Sequence, residues 1–220
     1  MRSKFDEQLD LLNEEMINMG AFCESAIATC AKALDSGDIA AAEKVQDISV
    51  QINHKEREIE ALCMKLILQQ QPVARDLRTI SSALKMISDM KRIGDQSADI
   101  ADIITEANIS SSDDTFHINE MANAVIKMVN GSVDAFVKKN VKAAKEVIAA
   151  DANINSRFDE IKHNIIEKLC VPGTDSECAV DLLMIAKYFE RIGDHAVNIA
   201  EWVIFSVTGV HQSEQTEVQP

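Results

Sequence analysis

Oxygen-bearing side chains recur one helical turn apart at four places in this chain of 220 residues. Glu190, Asp194 and Asn198 stand at four-residue spacing, as do Asp151, Asn155 and Asp159. Asp95 and Asp99 repeat the interval with Lys91 one turn before them, and Asn53 and Glu56, with the weaker Ser49, make a fourth set. Residues four apart share one side of a helix, so each series presents a ladder of carboxylate or amide oxygens. Two such ladders on neighbouring helices suit a hard or borderline cation such as Mg, Mn, Fe or sometimes Zn. Like charges one turn apart weaken a helix by only roughly 0.2–0.5 kcal/mol. A solvated acidic face that binds nothing is therefore the alternative reading of any single pair.

Two of these acids close a repeated tetrapeptide. RIGD occurs at 92–95 and again at 191–194, in each case inside an apolar pattern of helical period. At 100° per residue, Met90, Ile93, Ser97, Ile100 and Ile104 share one face, and Lys91, Asp95, Asp99 and Asp102 lie nearly opposite. The same arithmetic puts Phe189, Ile192, Ala196, Ile199 and Val203 towards a core and Glu190, Asp194 and Asn198 away from it. Gly94 and Gly193 each cost about 1 kcal/mol in a helix interior. Such a penalty at matching positions points to close approach by another helix, or to a kink that aims the carboxylates. Arg92 and Arg191 either snorkel to acids on a neighbouring helix or hold a carboxylate in position behind a bound ion.

The elements that position these groups are long helices. An apolar stripe runs from Phe5 through Leu12, Met19 and Ile27 to Leu34, and DSGD at 35–38 breaks it. A second stripe runs from Val45 to Leu66 and stops at Pro72, and a third runs from Val73 to Ile104. NISSSDD at 108–114 reads as a polar connector. Helices are then expected over about 115–139, 141–169 and 178–207. SGDIAAAEKV at 36–45 faces KKNVKAAKEV at 138–147, and QIN at 51–53 faces NIN at 153–155, a shift of 102 residues. RIGD recurs after 99, and a shorter loop in the second half absorbs the difference. The predicted fold is all-α: two tandem, pseudo-symmetric three-helix bundles built from six long helices. Residues 1–108 form the first bundle, 113–208 the second, and 209–220 a disordered tail. Short loops make helices 2 and 3, and helices 5 and 6, antiparallel neighbours, which lets their oxygen ladders converge.

Composition narrows the function classes. With 36 acidic against 22 basic side chains the formal charge is -14, which opposes a sequence-independent grip on nucleic acid or anionic lipid. The five cysteines are odd in number, contain no CxxC and mostly follow the apolar periodicity, so they read as buried thiols of a reducing compartment. MRSKFDEQLD lacks the apolar run of a signal peptide, and no stretch reaches the length of a membrane span, so a cytoplasmic protein is expected. His195 follows Asp194 and is a further possible ligand, but its counterpart in the first half is Gln96. No HExxH, phosphate-binding glycine loop or nucleophile motif is present, and nothing argues for catalysis.

QQPVARDLR at 70–78, the repeated RIGD and above all YFERIGDHAVNIAE at 188–201 give the chain a close resemblance to the PhoU family, extending over residues 3–207. The resemblance implies a PhoU-like fold, association as a homodimer and metal binding through repeated acid pairs with three residues between the two acids. It implies action with a phosphate ABC transporter and a sensor histidine kinase, in which the protein restrains uptake and represses the phosphate-starvation response, at most peripherally attached to the inner face of the membrane through these partners. Carried over by position, the second-half ligands fall on Glu190, Asp194 and Asn198, with Asp151 and Asn155 opposite. Those of the first half fall on Asp95 and Asp99, with Asn53 opposite. There Lys91 and Ser49 stand where the family pattern has acids, which predicts the weaker site. A helical scaffold with no functional metal is the alternative; a ferritin-like di-metal enzyme would need inward Glu-x-x-His elements, which the chain lacks.

Overall fold

The computed structural model describes residues 2–70, 72–109 and 116–210, with the side chains of 2–4, 69 and 70 left aside. Six helices account for nearly all of them: α1 (Arg2–Ser36), α2 (Ile39–Gln70), α3 (Ala74–Glu106), α4 (Ile118–Val137), α5 (Val141–Leu169) and α6 (Ser176–Thr208). No strand occurs among the described residues. Most of NISSSDD, and the expected tail from residue 211 onward, lie outside them.

Local chemistry sets the helix ends. Gly37 takes a left-handed φ of 65° after α1, and Asp38 Oδ1 accepts the N–H of Ala41 at 3.1 Å to open α2. Pro72 separates α2 from α3. The helix expected from about residue 115 starts instead at Ile118, because Phe116 and His117 hold left-handed φ values of 50° and 59° that no α-helix includes. Asn140 caps α5 by accepting from the N–H of Ala143. Asp175 caps α6 by accepting from Glu177 and Cys178, which brings its start forward to Ser176. Gly209, at φ 76°, ends it.

Each triplet packs on itself, α1 with α2 and α3, and α4 with α5 and α6. The triplets also join each other, through an extensive α3–α6 interface and through α1–α4, and their buried side chains form one continuous hydrophobic cluster. The core face expected on α3, from Met90 to Ile104, is buried, as is that of α6 from Phe189 to Val203. Cys23, Cys30 and Cys63 are buried, and burial pushes each thiol up to about 12. Their inertness as nucleophiles follows. Cys170 and Cys178 depart from the expectation of buried thiols: both flank the open α5–α6 turn, where Cys170 is exposed and Cys178 half-buried.

The two RIGD glycines sit where a neighbouring helix comes close, but not equally so. A Cβ on Gly94 would lie 2.9 Å from Cδ1 and 3.2 Å from Cγ2 of the fully buried Ile52 on α2. On Gly193 the nearest atom would be Ile154 Cγ2 of α5, at the ordinary distance of 3.4 Å. Overpacking a tight core costs about 1–3 kcal/mol, whereas replacing a helical glycine by alanine gains about 1 kcal/mol. Gly94→Ala is therefore expected to lower the unfolding free energy by roughly 1 kcal/mol and Gly193→Ala to leave it unchanged or raise it by up to about 1 kcal/mol. Urea unfolding of the two variants beside the parent checks both signs.

Candidate functional site

The second-half ladder gathers on the open side of the α5–α6 pair. Glu190 and Asp194 rise one turn apart on α6, and Asp151 faces them from α5 beside Gly193, where a Cβ would come within 3.7 Å of its Oδ1. A Cβ there would stand at ordinary van der Waals distance from the α5 carboxylate, so an alanine could be accommodated beside Asp151. Asp151 Oδ2 accepts a hydrogen bond from Asn155 Nδ2 at 2.8 Å. Its Oδ1 is buried and has no hydrogen-bond partner. Glu190 is half-buried, and its Oε2 meets the Lys187 ammonium without a hydrogen bond of good geometry. Asp194 lies on the exposed side, yet its carboxyl is raised above the ordinary range by partial desolvation, then by the charges of Glu190 and Asp151, with Lys187 and His195 opposing.

Asn198, the third rung of that ladder, turns elsewhere: its Nδ2 donates to Asp89 Oδ1 on α3 at 3.1 Å. The same Asp89 oxygen lies 2.8 Å from His195 Nδ1, and His195 Nε2 lies 3.2 Å from Gln96 Nε2. On the other side of this seam Tyr188 donates to Asp99, with Arg191 near enough to favour its ionisation. Under the shift of 99 residues that relates the RIGD segments, Asp89 maps onto Tyr188 and Asp99 onto Asn198. The two outer contacts are thus images of each other, and Gln96–His195 is its own image at the centre.

In the first half, Lys91 Nζ binds Asp95 Oδ2 at 3.2 Å. Glu56 on α2 is raised by burial; the Lys91 charge opposes that rise, and those of Glu60 and Asp95 add to it. Asp99 is raised by burial and then by Asp102 and Asp95. Asn53 turns its amide to its own helix, donating to the Ser49 carbonyl at 3.0 Å, and Ser49 is buried. Asp159 pairs with Lys162. Arg92 and Arg191 are both exposed, and Arg191 lies over the Tyr188 ring at 5.8 Å at the edge of the seam.

The donor set of the second half fits a cation bound through oxygen. Three carboxylates share one patch, the ammonium of Lys187 and the ring of His195 are the cationic groups that act on Asp194 there, and the buried Asp151 Oδ1 lacks a partner. Among the described residues, no three His, Cys, Asp or Glu side chains already converge on one point. A bound ion would therefore have to draw Glu190, Asp194 and Asp151 together. Asp89, Gln96, Tyr188 and Lys187 did not stand out in the sequence, although Asp89 and Tyr188 occupy equivalent repeat positions three residues before each RIGD.

The PhoU domain family model matches residues 16–104 and 118–203, one match for each half. The phosphate-specific transport system accessory protein PhoU homolog of Clostridium acetobutylicum is 33% identical, over 94% of this chain and 96% of its own length. A Burkholderia homolog of the same description is 30% identical, over 95% of this chain and 91% of its own. The crystal structure of PhoU from Pseudomonas aeruginosa superposes with a TM-score of 0.87 at 28% identity, covering 94% of this chain and all of that one. The phosphate transport system regulatory protein PhoU from Streptococcus pneumoniae gives 0.84 at 25% identity, over 94% of this chain and 98% of its own.

The raised Asp194 carboxyl has a measurable sign. A carboxyl whose folded value exceeds its unfolded one disfavours folding once ionised, so the penalty grows as pH rises from the ordinary aspartate value through the raised one. In chelator at neutral pH, Asp194→Asn is expected to be more stable than the parent. The difference should fade as pH falls through that window. Thermal unfolding between pH 3 and pH 7 checks it, and an Asn variant that is less stable at neutral pH would contradict the assignment.

Proposed function

The chain belongs to the PhoU family, and from that premise we propose that it is a metal-binding regulator of phosphate uptake and a negative regulator of the phosphate-starvation response. In this reading it acts as a homodimer between a phosphate ABC transporter and a sensor histidine kinase. The relatives' description as accessory proteins of phosphate-specific transport supports the transporter link; the kinase and the dimer follow from the family resemblance. A cytoplasmic site of action agrees with the lack, among the described residues, of any helix long and apolar enough to cross a membrane.

The observation that carries the metal reading is the acid cluster between α5 and α6, with its unpartnered Asp151 Oδ1. Glu190, Asp194 and Asp151 would hold the ion, with Asn155 positioning Asp151 through its amide and Asn198 joining only if it left Asp89. A divalent or trivalent ion there, Mg, Mn, Fe or Zn, would supply charge neutralisation and a tie between two helices. In the first half, Asp95, Asp99 and Asn53 are the remaining candidates, and Lys91 opposes a cation among them. One observation favours a scaffold without functional metal: Asn198 and Asp99 already serve the α3–α6 seam.

Isothermal titration with Mn or Zn is expected to find the tighter site in the second half, abolished by Asp194→Ala, and Lys91→Glu should strengthen the first-half site. Equal affinities, or no response to Lys91→Glu, would contradict the assignment. In the source bacterium, deletion of the gene should leave phosphate-starvation genes expressed at high phosphate. Removing the transporter or the kinase as well should abolish the effect. Normal repression in a deletion strain with no second homologue, read with a reporter, would favour the scaffold.

A further inference from the structure

We infer that the Lys187 ammonium is the resident counterion of the second-half acid cluster, and that an incoming metal ion must displace it from Glu190. The inference rests on the metal reading of that cluster and assigns a chain residue that sets its affinity. The Glu190 side chain is only 14% exposed, and the ammonium of Lys187 lies against its Oε2 from one turn upstream. A carboxylate so placed needs a positive partner. Lys187 supplies one without being a fixture of the core, since its own side chain is 37% exposed.

The repeat shows that this arrangement is particular to the second half. The shift of 99 residues maps Glu190 onto Lys91 and Lys187 onto Ser88. The first half thus carries its ammonium at the acid position itself, bound to Asp95 and acting on Glu56 across the helix pair. The shift of 102 maps Glu56 onto Phe158. Where the first half has a second carboxylate for its lysine, the second half has an aromatic ring, and Lys187 Nζ lies 5.1 Å from that ring's centre. A cation over an aromatic face keeps part of its stabilisation when a carboxylate leaves it. Lys187 can therefore surrender Glu190 to a metal and remain at Phe158, whose ring it shares with Lys162 Nζ at 5.5 Å, whereas the partners of Lys91 among the described residues are acids.

Removing the lysine charge should make metal binding tighter. Mn²⁺ titration, with free Mn²⁺ followed by electron paramagnetic resonance, is the direct test on the full chain with parent, Lys187→Met, Lys187→Arg and Asp194→Asn proteins. Lys187→Met is expected to bind Mn²⁺ at least roughly two- to fivefold more tightly, the factor that a partly exposed ion pair commonly contributes. Lys187→Arg should stay near the parent. In chelator, Lys187→Met should melt below the parent, because Glu190 has lost its counterion, and saturating Mn²⁺ should narrow the gap. Lys187→Gln serves as a second neutral replacement if the Met variant fails to give native circular dichroism. Unchanged or weaker Mn²⁺ binding in the neutral variants, with Asp194→Asn still abolishing it, would overturn the role of Lys187 and leave the metal reading standing. Mn²⁺ binding that does not depend on Asp194, or none in any of the proteins, would overturn both.

Discussion

The packing of α3 against α6 is the constraint from which the rest of the molecule follows. Each of these helices must serve its own triplet and also the opposite one, and each buries 13 of its 33 residues, whereas α5 buries only 5 of 29. Burying a large apolar side chain such as Phe189 or Met90 is worth about 1.5–3 kcal/mol. Crowding two carboxylates on consecutive turns costs roughly 0.2–0.5 kcal/mol. The apolar requirement therefore decides the geometry, and the polar residues of α3 and α6 fall on the side that the core leaves open. The acid ladders occupy the strip of that side beside α2 or α5.

A repeat built in this way has two kinds of polar position. Residues at the strip's inner margin meet the opposite repeat, and there Asp89 with Asn198 and Asp99 with Tyr188 tie α3 to α6 in matching fashion around the Gln96–His195 pair. Both halves must contribute to this seam, so its contacts come in images. Residues at the outer margin meet only their own α2 or α5 and are free to diverge. They have diverged in charge: Lys91 stands opposite Glu190, and Ser49 opposite Asp151, at equivalent positions.

Nearly all the helices were legible in the sequence because their apolar spacing reports burial directly. The stripe from Phe5 to Leu34, and the core faces around both RIGD segments, are buried as the period requires. What periodicity could not supply was direction within the polar face. Asn198 and Asp194 look alike at one-turn spacing, yet the first reaches across to Asp89 while the second faces Glu190 and Asp151. That choice depends on which side α6 turns to α3, a contact between segments about 100 residues apart. Lys187 was hidden for a related reason: it lies outside the four-residue ladder, and its partner Phe158 is on another helix. The left-handed residues before α4 were missed because Phe116 is not of a type that announces such a backbone, and the modest enrichment of histidine there does not single out His117.

The internal repeat also bears on how the acid clusters relate to the chain's overall charge. A protein at -14 repels anions broadly, and one more exposed carboxylate changes that field little. At the α5–α6 patch the balance is local: Glu190, Asp194 and Asp151 face the ammonium of Lys187, with His195 at the margin. The corresponding place between α2 and α3 sets Lys91 among Asp95, Asp99 and Glu56, and there the lysine lies within the acid ladder itself. Both patches rest on the same helix pairing and on the same glycine, so the fold cannot be what distinguishes them. Side-chain charge at equivalent positions does: the second repeat keeps its lysine beside the acid ladder, whereas the first sets it within the ladder, where it opposes an external cation directly.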